Sequence, residues 1–387
     1  MGTEKMNKIL IFGDICPDNN YRHLFDQKKN GPFDSSVVDL IETAAFSIAN
    51  LECPATDSTY KITKTGPNIK ALPKDLEVLK NIGINALSMA NNHILDYGNM
   101  GIEDTLHKID ELNFMRLGAG DNKQEAAKPL IIQVGSQKIG FLAYAEEEFN
   151  LATVTEPGAN HWDPYISLNE IRELKKECNK VIILYHGGIE HYRYPSPELQ
   201  KKCRAMIDAG GDIVTCQHSH CIGTNETYKT GYILYGQGNF AFGYREKDTN
   251  WNEGLALEYN VATEKINLIL LSADKEGIRI AEKNTSCSRL KVMEEESKVC
   301  KDFSEIKRRW DKFCDGMKSL DLPLLYGYPR ILTKLNRITR NRLISLFKSK
   351  KAKMITMEIL RCEAHHEVMR TILENEIEWN QKDQKYR

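Results

Sequence analysis

The chain has 387 residues, of which 41% are hydrophobic, enough to bury the core of one large catalytic domain with an additional segment. The formal net charge of −1 gives no global reason to expect a nucleic-acid partner, and we expect none. No run approaches the ~18 consecutive apolar residues of a transmembrane helix. The first residues lack a signal-peptide pattern, which predicts a cytoplasmic protein.

Residues 7 to about 272 alternate short apolar runs with amphipathic helical patterns, which predicts an α/β domain. The predicted strands cover residues 8–12, 46–49, 84–89, 181–185 and 212–215. The predicted helices cover residues 73–82, 100–112, 167–178, which opens with a capping-box pattern, and 196–209. Two further pairs of runs predict hairpins, so the sheets are expected to be mixed: 130–134 with 138–143, and 255–260 with 265–272.

The sequence pattern changes after about residue 287, where strand signals give way to helical, charge-rich sequence. We therefore predict a catalytic domain over residues 1–287 and a helical extension over residues 288–387. Within the extension, helices are expected near residues 301–317 and 354–379.

A basic amphipathic segment lies inside this extension. Between residues 328 and 353 there are nine Lys and Arg residues and no acidic residue, and Ile331, Leu335 and Ile338 recur at helical spacing. We expect this helix to dock on the catalytic domain and to expose its basic face to water. Peripheral contact with an anionic membrane through residues 328–353 is the alternative.

Residues that can bind metals recur where the predicted strands end. In open α/β sheets, ligands gather at the carboxyl ends of the strands. The strand ends supply Asp14, Glu52, Asn91-Asn92-His93, His186 and His218-Ser219-His220. Each of these alone is compatible with an ordinary turn or a solvated loop, but their recurrence at five strand ends predicts one shared site.

Carboxylate, imidazole and carboxamide ligands suit divalent ions such as Mn, Zn or Fe. The candidate ligands are more numerous than one catalytic metal with an open position uses. They are Asp14, Glu52, Asn92, His186, His218 and His220. Such a set fits two ions that share a bridging carboxylate, which lower the pKa of bound water from about 15.7 toward about 7.

The number and order of these motifs resemble the CapA-like poly-γ-glutamate capsule biosynthesis family, over residues 8 to about 245. The motifs are Gly13-Asp14, Asn50-Leu51-Glu52, Ala90-Asn91-Asn92-His93 with Asp96-Tyr97-Gly98, His186-Gly187-Gly188-Ile189-Glu190, His218-Ser219-His220 and Gly236-Gln237-Gly238-Asn239-Phe240. That family is similar to calcineurin-like metallophosphoesterases. The resemblance therefore implies a four-layer α/β/β/α sandwich, here with a C-terminal helical extension.

The resemblance also implies a role for each candidate metal ligand. One ion would be bound by Asp14 and His220. The second ion would be bound by Asn92, His186 and His218. Glu52 would bridge the two ions.

The remaining motif residues would serve catalysis and substrate binding. His93 would protonate the leaving group or steady the transition-state oxygen, and Asp96 would orient His93. Asn91, Glu190 and Asn239 would lie near the substrate.

The sequence departs from the broader phosphoesterase pattern at the first metal. Cys16 occupies the place of a histidine there, a departure that CapA-like proteins share, and the bridging residue is Glu52 rather than Asp. One ion or two therefore remain possible, with Cys16 or water as the missing ligand.

We expect a metal-dependent hydrolase in which hydroxide formed at the metal attacks a phosphoester or related bond. The substrate would be an anionic small molecule or polymer, linked to capsule or poly-γ-glutamate-type metabolism. One alternative is an amide hydrolase or transferase that acts on a γ-glutamyl or envelope polymer. Another is a non-catalytic polymer-binding or scaffolding subunit with a degenerate metal site, which the missing histidine favours and which His93 argues against.

Overall fold

The computed structural model describes residues 7–17, 19–325, 330–339 and 350–361, with isolated positions between 365 and 373. It divides into two compact units, residues 1–307 and residues 308–387. The predicted boundary at residue 287 falls inside a helix, Lys283–Ser297, that belongs to the first unit. The boundary itself stays a prediction.

Strands and helices alternate through the first unit as the sequence indicates. In chain order the strands are β1 (Lys8–Ile15), β2 (Phe46–Leu51), β3 (Ala86–Ser88), β4 (Met115–Leu117), β5 (Ala119–Gly120), β6 (Leu130–Val134), β7 (Gln137–Ala145), β8 (Gly158–Ala159), β9 (Lys180–His186), β10 (Ile213–Gln217), β11 (Asn225–Tyr228), β12 (Gly231–Leu234), β13 (Asn239–Ala241), β14 (Glu253–Asn260), β15 (Lys265–Asp274) and β16 (Gly277–Ile280). The helices are α1 (Arg22–Gln27), α2 (Ser35–Glu42), α3 (Asp75–Asn81), α4 (Gly98–Glu111), α5 (Lys123–Ala126), α6 (Pro164–Glu177), α7 (Pro197–Asp208), α8 (Lys283–Ser297), α9 (Phe303–Leu325), α10 (Arg330–Ile338) and α11 (Lys350–Arg361).

The strands form two main sheets of mixed direction, as predicted. The first has the order β16-β15-β14-β1-β2-β3-β4, with β13 beside β1, and β1 to β4 run parallel to one another. The second has the order β11-β12-β10-β9-β7-β6, in which β7, β9, β10 and β12 are parallel. Both predicted hairpins are present, as β6–β7 and β14–β15.

Alternating side chains of the second sheet show that it is covered on both faces. On β7, Phe141 and Ala143 belong to the core shared with the first sheet, whereas Leu142 and Tyr144 pack in a second core. That second core contains Ile171 from α6 and residues of α7, so these helices cover the outer face. Helices α2 and α4 contact the first sheet. The layers are therefore helix, sheet, sheet and helix, which confirms the predicted α/β sandwich.

Helix boundaries differ from the predicted ones at one informative position. Helix α6 begins at Pro164 rather than near residue 167, because the Asp163 side chain accepts the Tyr165 backbone N–H and caps the helix there. Ser167, the predicted capping residue, is buried inside the helix. Helix α7 is capped by Ser196, as its sequence predicts.

The second unit is helical where it is described. In α10, Ile331 and Ile338 expose 73% and 77% of their surface. Most of the rest of the predicted basic segment, residues 340–349, lies outside the described residues, as does the end of the helix predicted at 354–379. Among the described helices, none is both long enough and apolar enough to cross a membrane.

Candidate metal centre

The carboxyl ends of the central strands meet where the two sheets face each other. On β1 and β2, Asp14 pairs in register with Asn50, and on β9 and β10, His186 pairs with Gln217. Gly13 makes the approach possible, because a Cβ atom at this position would lie 2.0 Å from the Gly238 carbonyl oxygen. Residues from several strand-end motifs thus lie together in one buried cluster.

Two groups of potential ligands share one carboxylate. Within each group, the ligand atoms lie within 4.8 Å of one another. The groups, found among the described residues, are Glu52, His186 and His218, and Asp14, Glu52 and His220. Glu52 is common to both groups.

Asp14 is fixed by two hydrogen bonds that leave its remaining lone pairs for a cation. Asn50 Nδ2 donates to Asp14 Oδ1 at 2.7 Å, and the His218 backbone N–H donates to Oδ2 at 2.9 Å. Asn50 Nδ2 also lies 3.2 Å from His186 Nδ1, so one amide ties both ligand groups together. Sequence reasoning assigned Asn50 to a motif but gave it no role.

Glu52 is the strongest indication that the cluster is built for a cation. The residue is fully buried, and neither carboxylate oxygen accepts a hydrogen bond from an N–H or hydroxyl group of the described residues. His186 Nε2 and His220 Nε2 lie 3.3 Å and 3.7 Å from Glu52 Oε1. A buried carboxylate left without donors is costly unless a positive charge compensates it, so the residues present fit divalent ions.

The two carboxamides beside the histidines are oriented by their own hydrogen bonds. Asn239 Nδ2 donates to the Trp251 carbonyl oxygen, which directs Oδ1 to His220 Nδ1 at 2.9 Å. Nδ1 then carries the proton, and Nε2 faces Glu52 with its lone pair. Asn92 is hydrogen-bonded to His186, with its Oδ1 3.1 Å from His186 Nε2.

The backbone is strained where the last histidines enter the site. His218 has φ 86° and His220 has φ 50°, both in the left-handed region of backbone angles, which residues other than glycine rarely adopt. Such conformations cost about 1–3 kcal/mol each and persist where the surrounding structure enforces them, commonly at functional sites.

Burial sets the protonation of the candidate ligands. It lowers the pKa of His186 to about 4 and that of His218 to about 3, and it lowers the pKa of His220. These imidazoles are therefore neutral near pH 7, the form that binds metals. Burial, reinforced by Glu52, raises the pKa of Asp14 to about 7, and burial also raises the pKa of Glu52.

Metal affinity is therefore expected to rise with pH through the Asp14 pKa of about 7, and Glu52, whose pKa burial also raises, must likewise lose its proton before it binds an ion. Below the Asp14 pKa, a metal ion must displace a proton from Asp14, which weakens binding by at least about tenfold per pH unit. The histidines contribute nothing in this range, because they are already neutral. Calorimetric titration on either side of pH 7, in buffers of different ionisation enthalpy, measures both the affinity and the released proton. An affinity that does not change with pH contradicts this reasoning.

His93 and Asp96 form a pair next to the ligand groups. His93 Nδ1 lies 2.7 Å from Asp96 Oδ2, and Asp96 is fully buried. His93 and His220 line a cavity of about 590 Å³, whose walls also include Glu190, Arg245 and Trp251.

The other predicted site residues occupy different environments. Glu190 lies at this cavity with about half of its side chain exposed. Asn91 is fully buried, and its Nδ2 donates to Asn50 Oδ1 and to the Leu51 carbonyl oxygen. Asn239 contacts His220, as described above. Their roles in substrate binding stay predictions.

Cys16, the residue in place of the phosphoesterase histidine, lies apart from both ligand groups. Its thiol interacts with that of Cys53, and burial raises the pKa of Cys53 well above its ordinary value. A buried thiol with a raised pKa, such as that of Cys53, is a poor metal ligand, and Cys16 is a member of neither ligand group. The group around Asp14 therefore offers three protein ligands, and the number of ions held stays open.

Fold and site together define an α/β sandwich protein with a cluster of residues at its strand ends that could hold metal ions. A family model described as bacterial capsule synthesis protein PGA_cap matches residues 8–244, more than half of the chain. The chain belongs to this family, which confirms the resemblance drawn from the motifs.

Curated relatives agree with this assignment. The chain is 26% identical over 249 residues to the capsule biosynthesis protein CapA of Bacillus anthracis, covering 62% of this chain and 60% of the relative. It is 30% identical over 235 residues to the PGA biosynthesis protein CapA of Bacillus subtilis, covering 59% and 62%. The chain thus spans about three fifths of the length of these relatives. A solved structure, the 5'-nucleotidase precursor of Thermus thermophilus, aligns with a TM-score of 0.41 at 12% identity, covering 74% of this chain and 58% of that one.

Proposed function

We propose that this protein is a metal-dependent hydrolase that cleaves a phosphoester or related bond in an anionic substrate of capsule or poly-γ-glutamate-type polymer metabolism. The observation that carries the proposal is Glu52, a buried carboxylate that accepts no hydrogen bond from an N–H group of the described residues and is common to two ligand groups. Bound divalent ions of the Mn, Zn or Fe type supply an activated water and polarise the substrate oxygens.

Each candidate site residue has its own proposed role in this reaction. Asp14, Glu52 and His220 would hold one ion, and Glu52, with His186, His218 and Asn92, a second. His93 faces the cavity beside them, where it is placed to give a proton to the leaving oxygen. Asp96 accepts from His93 Nδ1 and keeps the ring in position.

The link to capsule polymers rests on the printed names of the relatives and on the family. A second candidate is a polymer-binding subunit with a degenerate metal site. The group around Asp14 favours it, because this group offers three protein ligands among the described residues. An amide bond in a γ-glutamyl polymer is a further target for the same centre.

Metal analysis and turnover test the proposal. The protein, purified without chelator, is expected to contain one or two transition-metal ions per chain and to hydrolyse bis(p-nitrophenyl) phosphate. Chelation is expected to remove both properties, and Mn, Zn or Fe to restore them. Protein that holds no metal and has no turnover after supplementation contradicts the hydrolase. Bound metal without turnover on phosphoesters, but with cleavage of a γ-glutamyl peptide, identifies the amide alternative.

A further inference from the structure

The segment between β2 and α3 is held in place by Asp96. Residues 56–71 form an irregular loop whose ends are joined by a bridge between Ala55 and Ala71. Inside the loop, the Ile62 N–H and Asn68 Nδ2 donate to the Asp96 carbonyl oxygen at 3.1 Å and 3.0 Å. The Ile69 N–H donates to Asp96 Oδ2 at 2.8 Å. Asp96 therefore organises this loop as well as His93.

Lys64 is the loop residue that reaches the same carboxylate. Its side chain is only 2% exposed and forms an ion pair with Asp96 Oδ1, in which Asp96 is fully buried. Lys64 Nζ also lies 3.1 Å from His93 Nδ1. One connected group of side chains therefore lies next to the candidate metal centre, formed by Lys64, Asp96 and His93.

A lysine in an irregular loop normally keeps its ammonium group in water, because burial of the charge is costly. Lys64 is instead buried against its partner, and removing either member would leave an uncompensated charge. The Asp96 carboxylate meets Lys64 on Oδ1 and His93 on Oδ2. The ammonium group therefore fixes the direction from which the carboxylate meets the imidazole.

We propose that Lys64 is a positioning residue of the site, which holds Asp96 and through it the His93 ring toward the cavity. The inference rests on the proposed function for its kinetic consequence, but its structural consequence for His93 does not depend on any activity. Lys64 itself touches neither ligand group, so metal binding is expected to be unaffected by its loss.

The chain offers a matched control on the same loop. Lys70 Nζ donates to the Ser58 carbonyl oxygen at 2.7 Å and lies 5.0 Å from the centre of the Tyr97 ring. Lys70→Met therefore removes a loop lysine with structural contacts, whereas Lys64→Met removes the contact to Asp96 and His93.

The kinetic experiment uses the metal-loaded full chain and diphenyl phosphate, a phosphodiester whose poorer leaving group depends on a proton from the acid. Lys64→Met is expected to lower kcat about 10- to 100-fold with little change in KM or metal content, because the acid is misplaced. Lys64→Arg is expected to recover part of the loss, and Lys70→Met to leave kcat near that of the unmodified protein. In a His93→Ala background, Lys64→Met is expected to cause no further loss of kcat, because Lys64 is proposed to act only by positioning the His93 ring.

The second measurement is the nitrogen chemical shifts of the His93 ring, obtained from selectively labelled histidine. Lys64→Met is expected to shift them and Lys70→Met to leave them unchanged. Unchanged His93 signals, or a full further loss in the His93→Ala background, overturn the inference. If the unmodified protein has no turnover, the hydrolase proposal fails while the ring signals still decide the role of Lys64. If Lys64→Met does not fold, Lys64→Gln takes its place in both measurements, because it removes the charge that pairs with Asp96 but leaves a polar side chain in the buried position.

Discussion

Replacing Glu52 with Gln is expected to abolish metal binding in both ligand groups. The substitution removes a negative charge that the groups share, and it places an amide N–H among the Nε2 atoms of His186 and His220. Loss of residues that only support a ligand weakens metal affinity about 10- to 100-fold, so loss of the shared ligand is expected to exceed about 100-fold. Without metal, Glu52→Gln is expected to be no less stable than the unmodified protein, because burial disfavours the charged carboxylate.

Thermal or denaturant unfolding with and without metal measures this effect. Metal at about 100 times its Kd stabilises the unmodified protein by about 2.7 kcal/mol, and at the same concentration Glu52→Gln is expected to gain only about 0.4 kcal/mol. Glu103→Gln, on the exposed face of α4, is the matched control and should respond like the unmodified protein. If metal stabilises Glu52→Gln as much as it stabilises the unmodified protein, Glu52 is not a ligand shared by the two groups.

Replacing His93 with Ala is expected to lower kcat about 10²- to 10⁴-fold, the contribution of a positioned acid in proton transfer. His93 lines the cavity beside His220 and is held by Asp96, yet it belongs to neither ligand group. Metal content is therefore expected to be preserved. The combination of lost turnover and retained metal separates this role from that of a ligand.

Steady-state kinetics with elemental analysis decide this prediction. His107→Ala removes an exposed histidine of α4 and controls for the loss of an imidazole elsewhere. The loss in His93→Ala is expected to be smaller for a substrate with a very good leaving group, because such a group leaves without a proton. Turnover within a factor of two of the control would show that His93 does not act as the acid.

The ligand groups were predictable from the sequence because they follow from strand position. Apolar runs mark buried strands, and parallel strands bring their carboxyl ends to the same edge of a sheet. Asp14, Glu52, His186, His218 and His220 each end or follow such a run, and the structure gathers them. The sandwich followed from the same alternation of strands and helices.

Other parts of the site carry no such signal. Lys64 lies in a loop without hydrophobic periodicity, and its burial depends on the fold that brings Asp96 to it. The cap of α6 at Asp163 was missed because the capping-box pattern a few residues later competes with it. The Asn50 amide contacts two ligand groups only after the sheets face each other.

The left-handed backbone at His218 and His220 has a consequence for which ions the site accepts. These histidines are placed by the fold, since the His218 N–H donates to the Asp14 carboxylate. The unfavourable backbone geometry is thus offset by the rest of the fold, and an incoming ion does not have to order the loop. An ion that prefers a different ligand geometry would have to rearrange a strained and buried turn. Selectivity among ions is therefore expected to come from rigidity of the polypeptide more than from ligand chemistry.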